Sequence, residues 1–164
     1  MPPFKPVSRK AAAILLVEDK AGDIRLMEEA LREAGCCAQL YIARNSQQAL
    51  AFLRREKPYE ASPRPAFILL DVNLPGANGT ELLAEIKKER GLRQISVIVL
   101  STSARPEDIA KAYELHANCY VQKPADLESL VEVTRIIGAF WLETAMLACD
   151  FNSPPPPLAS QRSA

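Results

Sequence analysis

Two apolar runs in this chain end on acids instead of turn residues. AAILLV (Ala12–Val17) passes straight into Glu18 and Asp19, and AFILLD (Ala66–Asp71) finishes on Asp71. An apolar run without alternation is the pattern of a strand covered on both faces. Such strands belong to a parallel sheet sandwiched between helices. SVIVLS (Ser96–Ser101) is a third run of this kind, and AQLYIA (Ala38–Ala43) and CYVQ (Cys119–Gln122) supply two shorter ones.

Helical spacing fills the intervals. Ile24, Met27, Ala30, Leu31 and Ala34 recur on one face of a helix that starts at Asp23 and stops at Gly35. Asn45 or Ser46 can cap a second helix carrying Ala49, Leu50 and Leu53. Thr80 opens a third with Leu82, Leu83, Ile86 and Lys87. Pro106 suits the first turn of a fourth, which runs to about Leu115. The last helix is expected from about Asp126 to Leu147. Strand–helix alternation with right-handed crossovers predicts an α/β, flavodoxin-like (βα)5 doubly wound parallel sheet of strand order 2-1-3-4-5. Residues 12–147 form the domain. Residues 1–11 read as a flexible arm and the proline-rich 148–164 as a disordered tail.

Lysine plus arginine equals aspartate plus glutamate at 20 each, so generic attraction to nucleic acid or an anionic membrane is not indicated. No apolar run approaches the roughly 20 residues of a membrane span, and the N-terminus lacks a secretory signal. The four cysteines show no CxxC spacing, so neither a disulfide framework nor a zinc site is suggested and the cytoplasm is the expected compartment.

In the predicted order strands 1 and 3 are neighbours, and their carboxyl ends form the ligand-binding edge. Glu18, Asp19 and Asp71 therefore meet in one crevice. Carboxylates so close repel one another unless a cation sits among them. An open, oxygen-only ligand set suits Mg2+. Strand 4 brings Ser101 to the same edge, followed by Thr102 and Ser103, and strand 5 brings Lys123.

LLVED, LLDVNLPGANG, VIVLSTSA and YVQKP, in this order, resemble the receiver domain of two-component response regulators. The resemblance implies a role for each residue. Asp71 matches the phospho-accepting aspartate, with Ser101 and Lys123 as its catalytic partners. Glu18 and Asp19 match the acid pair that holds Mg2+, completed by Asp71 and the backbone carbonyl of Asn73. Ser101 and Tyr120 match the switch pair, and the Lys123–Pro124 peptide is implied to be cis. Thr102 stands where many members carry alanine, and its bulk is expected to slow dephosphorylation. The enzymatic activity implied is Mg2+-dependent self-phosphorylation from phosphohistidine with slow autodephosphorylation, not general turnover.

NSQQALAFL, SPRPAFILLDVNLP, YELHANCYVQKPADLESL and FWLET are similar to the small regulators paired with phytochrome-type sensor histidine kinases. That likeness implies such a kinase as donor, with another hybrid or soluble sensor kinase as the alternative. It also implies a homodimer through helix 4, strand 5 and helix 5. At helical spacing Val133, Ile136, Phe140 and Leu147 share the side of the last helix away from the sheet and are the expected dimer residues. Residues 148–164 leave no room for a helix-turn-helix, so output through protein contacts, without direct DNA or membrane binding, is expected. Two other functions stay open: an aspartate-nucleophile phosphatase, and a receiver-like module signalling without phosphorylation. Asn73 offers no proton donor for the former, and the intact acids, Ser101 and Lys123 argue against the latter. A flavodoxin-like cofactor binder would want a phosphate-cradling first loop, whereas this one is acidic.

Overall fold

The computed structural model describes residues 12–74 and 79–148. The expected arm and tail, apart from Ala148, lie outside the described residues, as do positions 75–78 of the loop after strand 3. The chain alternates β1 (Ala13–Val17), α1 (Ala21–Glu33), β2 (Gln39–Ala43), α2 (Ser46–Arg54), β3 (Phe67–Asp71), α3 (Gly79–Lys88), β4 (Ser96–Ser101), α4 (Pro106–Glu114), β5 (Cys119–Gln122) and α5 (Leu127–Gly138). All strand pairs are parallel and the sheet order is β2-β1-β3-β4-β5. This is the flavodoxin-like arrangement expected from the apolar runs.

Successive side chains of a strand point to opposite faces, and the core divides accordingly. Leu15, Val17, Ile68, Leu70, Val97 and Val99 face α2, α3 and α4 and meet Phe52, Leu83 and Ile86. Ile14, Leu16, Phe67, Leu69, Ile98 and Leu100 face the other way and meet Ile24, Met27, Leu130 and Val131 of α1 and α5. The three central strands are buried along their whole length, which is why their sequences show no alternation. The edge strands β2 and β5 are only half-buried.

Local chemistry sets the helix ends. Asn45 is extended and accepts the Gln48 N–H at 2.8 Å, while the Gln48 side chain accepts the Arg44 N–H at 2.8 Å, a reciprocal cap of α2. Asp126 caps α5 by accepting the Ser129 N–H at 2.8 Å. Gly35, at φ 70°, ends α1 in the left-handed region, and the Cys36 N–H returns to the Leu31 carbonyl.

The last helix departs from expectation. Its α-helical part stops at Gly138 and continues as a π-helical segment, Ala139–Thr144. The Ala145 N–H donates to the Phe140 carbonyl at 2.7 Å, and Ala145 itself is extended at ψ 140°. Both changes rotate the chain relative to α-helical spacing. Leu147 consequently turns inward, 6% exposed, and joins the α1–α5 side of the core. It is not available to a partner, which corrects its assignment as a dimer residue. Ile136 and Phe140 are 60% and 51% exposed as expected, and Val133 is half-buried.

Candidate functional site at the carboxyl edge of the sheet

The parallel register places the functional residues side by side. Val17 pairs with Leu70, so Glu18 follows β1 at the level where Asp71 closes β3. Asp71 pairs with Leu100, and Ser101 pairs with Gln122. One residue beyond Gln122, the Lys123 N–H donates to the Ser101 carbonyl at 2.8 Å and roots the lysine beside the hydroxyl. Glu18, Asp71 and Ser101 are all buried at the end of the sheet.

The Lys123 ammonium fills the middle of this edge. It donates to Glu18 Oε2, to Asp23 Oδ2 at 2.8 Å and to Asp71 Oδ2 at 3.0 Å. An ammonium has three N–H donors, and all three are occupied. Asp71 Oδ1 accepts the Asn73 N–H at 2.8 Å, and Glu18 Oε1 accepts the Lys20 N–H at 3.1 Å. Glu18, Asp23 and Asp71 each offer an oxygen within 4.8 Å of the others. Asp19 stands outside this group, and its Oδ1 is buried without a hydrogen-bond partner.

The two buried acids are pushed apart in acidity. Burial lifts the Glu18 carboxyl above its ordinary range, and the Lys123 ammonium and Lys20 N–H only partly offset it. Burial also acts on Asp71, but there the Asn73 N–H, Glu18 and Lys123 outweigh it and hold the carboxyl below its usual value. Burial likewise opposes the charged form of Lys123, and Asp23, Glu18 and Asp71 together raise it regardless. Asp71 is thus the more acidic of the two carboxyls and Glu18 the less acidic.

Two backbone features shape the edge. Gly79 opens α3 directly against the end of β3, where an added Cβ would lie 2.5 Å from Val72 Cα and 2.8 Å from the Asp71 carbonyl oxygen. Only glycine allows that approach. The stretch after β4 is held by Ser103: its N–H donates to Ser101 Oγ at 3.2 Å, its hydroxyl to Asp108 in the first turn of α4, and its carbonyl accepts the Tyr120 hydroxyl at 2.9 Å. Tyr120 is half-buried and rests on the α2–α3–α4 side of the core.

Sequence reasoning brought Glu18, Asp19, Asp71, Ser101 and Lys123 to one edge; the structure gathers Glu18, Asp71, Ser101 and Lys123 there and leaves Asp19 outside the carboxylate group. It did not find Asp23, which lies in the first turn of α1. No signal in the sequence marked it, since an acid in the first turn is ordinary at a helix start. The cis peptide among the described residues is Lys57–Pro58 and not Lys123–Pro124.

A doubly wound parallel sheet with buried carboxylates, a lysine and a hydroxyl gathered on its carboxyl edge is a flavodoxin-like α/β domain with a polar site at the strand ends. The chain belongs to the response regulator receiver domain family, whose sequence model matches residues 14–135. It is 46% identical over 140 residues to response regulator Rcp1 of Synechocystis sp., covering 85% of this chain and 95% of that protein. Among solved structures it is similar to the phosphorylated cyanobacterial phytochrome response regulator RcpA, at 45% identity and a TM-score of 0.79, covering 84% of this chain and 99% of that one. The Mn2+-bound form of Rcp1 superposes with a TM-score of 0.75 at 46% identity, covering 83% and 98%.

Proposed function

We propose that this receiver accepts a phosphoryl group from a sensor histidine kinase onto Asp71 and passes the signal on through protein contacts. The observation that carries the reading is the buried Asp71 carboxylate 3.0 Å from the Lys123 ammonium, at the same sheet edge as Ser101. In the proposed step an Asp71 oxygen bonds to phosphorus as the P–N bond of the donor phosphohistidine breaks, and the imidazole leaves with that electron pair. Charge spreads over the equatorial phosphoryl oxygens. The Lys123 ammonium and the Ser101 hydroxyl are the groups of this chain that would receive those oxygens.

The residues present fit a divalent cation. Asp19 Oδ1 is buried without a hydrogen-bond partner, and Glu18, Asp23 and Asp71 each bring a carboxylate oxygen within 4.8 Å of the others. Mg2+ is the proposed ion, with Asp19, Asp71, Glu18 and the Asn73 carbonyl as its holders. When bound it would add positive charge against the phosphoryl oxygens.

The proposed donor is a phytochrome-type kinase, a reading supported by the likeness to phytochrome response regulators. For the switch, Ser101 is proposed to move toward the phosphoryl group and Tyr120 to respond. For assembly, a homodimer through α4, β5 and α5 is proposed, because Tyr113, Ile136 and Phe140 leave large apolar surfaces exposed there. The proposed compartment is the cytoplasm, in keeping with free thiols at Cys36, Cys37 and Cys119. Among the described residues no helix is long and apolar enough to cross a membrane.

The test is incubation with acetyl phosphate and Mg2+, followed by intact mass measurement of wild type and Asp71→Asn. A gain of one phosphoryl group in wild type alone is expected. No gain in wild type, or an equal gain in both, overturns the assignment. Continuous release of phosphate from small esters would instead make the chain a phosphatase.

A further inference from the structure

Asp23 is more than a favourable acid at a helix start. An acid in the first turn of α1 complements the helix dipole wherever its side chain points. This one reaches Lys123, 100 positions along the chain, at 2.8 Å, and it is 30% exposed while Glu18 and Asp71 are nearly enclosed. It therefore ties the loop after β5 to α1 from the solvent side of the site. It does so by taking one of the three N–H donors of an ammonium whose other two are held by Glu18 and Asp71.

We propose that Asp23 is a positioning residue that competes with the phosphoryl group for Lys123. This rests on the reading of Asp71 as phospho-acceptor. With Asp71 free, Asp23 holds the lysine over the acids. With Asp71 modified, the donor that served Asp71 passes to the dianionic phosphoryl group, and the pull of that charge on the ammonium works against its contact with Asp23. The carboxylate also places a negative charge at the edge that a divalent cation would occupy. Asp23 thus works in two opposite directions: it helps gather the cation and it opposes the phosphorylated state.

Asp23→Asn separates these effects. It keeps an acceptor oxygen and the side-chain shape while removing the charge. The probes are Mg2+ alone, by calorimetric titration, and beryllofluoride at saturating Mg2+, by fluorine NMR. Beryllofluoride coordinates an aspartate oxygen and mimics the acyl phosphate. Mg2+ binding is expected to weaken by roughly threefold to tenfold. Beryllofluoride binding is expected to tighten by a similar factor, because a charge-assisted competitor has become a neutral one. A purely structural role would lower thermal stability and weaken both ligands or neither. Asp23→Glu restores the charge and should return both affinities toward wild type. Beryllofluoride affinity in Asp23→Asn equal to or weaker than wild type overturns the proposal. A wild type that binds no beryllofluoride overturns the acceptor assignment of Asp71 instead.

Discussion

Replacing Lys123 by methionine keeps most of the side-chain volume and removes the charge at the centre of the site. Each contact of the ammonium with Asp23 or Asp71, at 2.8 and 3.0 Å, corresponds to about 6 kcal/mol of attraction at an effective dielectric of about 20. Two carboxylates at the outer separation of 4.8 Å repel by about 3.5 kcal/mol on the same scale. Lys123→Met thus loses the attractions and keeps the repulsions. The folded protein relieves this by protonating an acid, Glu18 first, since burial already lifts it. The net destabilisation is then that of breaking a buried ion pair, about 3–5 kcal/mol at neutral pH without divalent ions. Urea unfolding followed by circular dichroism reads it as a lower midpoint with an unchanged slope. Millimolar Mg2+ should stabilise the variant by more than it stabilises wild type, because no ammonium then competes for the acids. A loss below about 1 kcal/mol, or equal stabilisation of both proteins by Mg2+, would refute the picture of acids held together by one lysine.

The remaining predictions concern the surroundings of the site. Gly79→Ala forces Val72 and the Asp71 carbonyl apart from α3, and phosphorylation by acetyl phosphate should fall by about an order of magnitude while α1 and α5 keep their amide-exchange protection. The Ser129 N–H and hydroxyl hold Asp126 below its ordinary 3.8. Its cap therefore contributes fully above that value and is lost as the pH falls through the lower folded value. Asp126→Asn caps without titrating, so its melting temperature should lose less than that of wild type between pH 5 and pH 2. Thr102→Ala should shorten the acyl-phosphate lifetime, measured by phosphate release after donor removal; an unchanged lifetime would show that Thr102 does not shield the bond. Phe140→Asp should abolish any concentration-dependent increase in sedimentation coefficient, and a wild type monomeric at high micromolar concentration would defeat the dimer.

Most of the fold was legible because its determinants are local. Strands buried on both faces need continuous apolar runs, and those runs carry Glu18, Asp71 and Ser101 to their ends whatever the loops do. Lys123 was legible for the same reason, being one residue past β5. Asp23 was not, because its helix-start position explains an acid without any lysine, and nothing local reveals that the first turn of α1 overlooks the loop after β5. Leu147 was misread for a different reason. Projection at 100° per residue assumes an α-helix, whereas the chain widens into a π-helical turn at Ala139 and leaves the helix at Ala145. A single change of winding is invisible in composition yet reverses the side on which a residue emerges.

Ser103 carries a consequence for how information can leave the site. Its amide, its hydroxyl and its carbonyl are engaged by Ser101, α4 and the ring of β5 respectively. The two elements nearest the exposed apolar surface are therefore geared to the same short peptide stretch. A displacement at the end of β4 would reach α4 and Tyr120 through the same residue, so the proposed switch would move the two together.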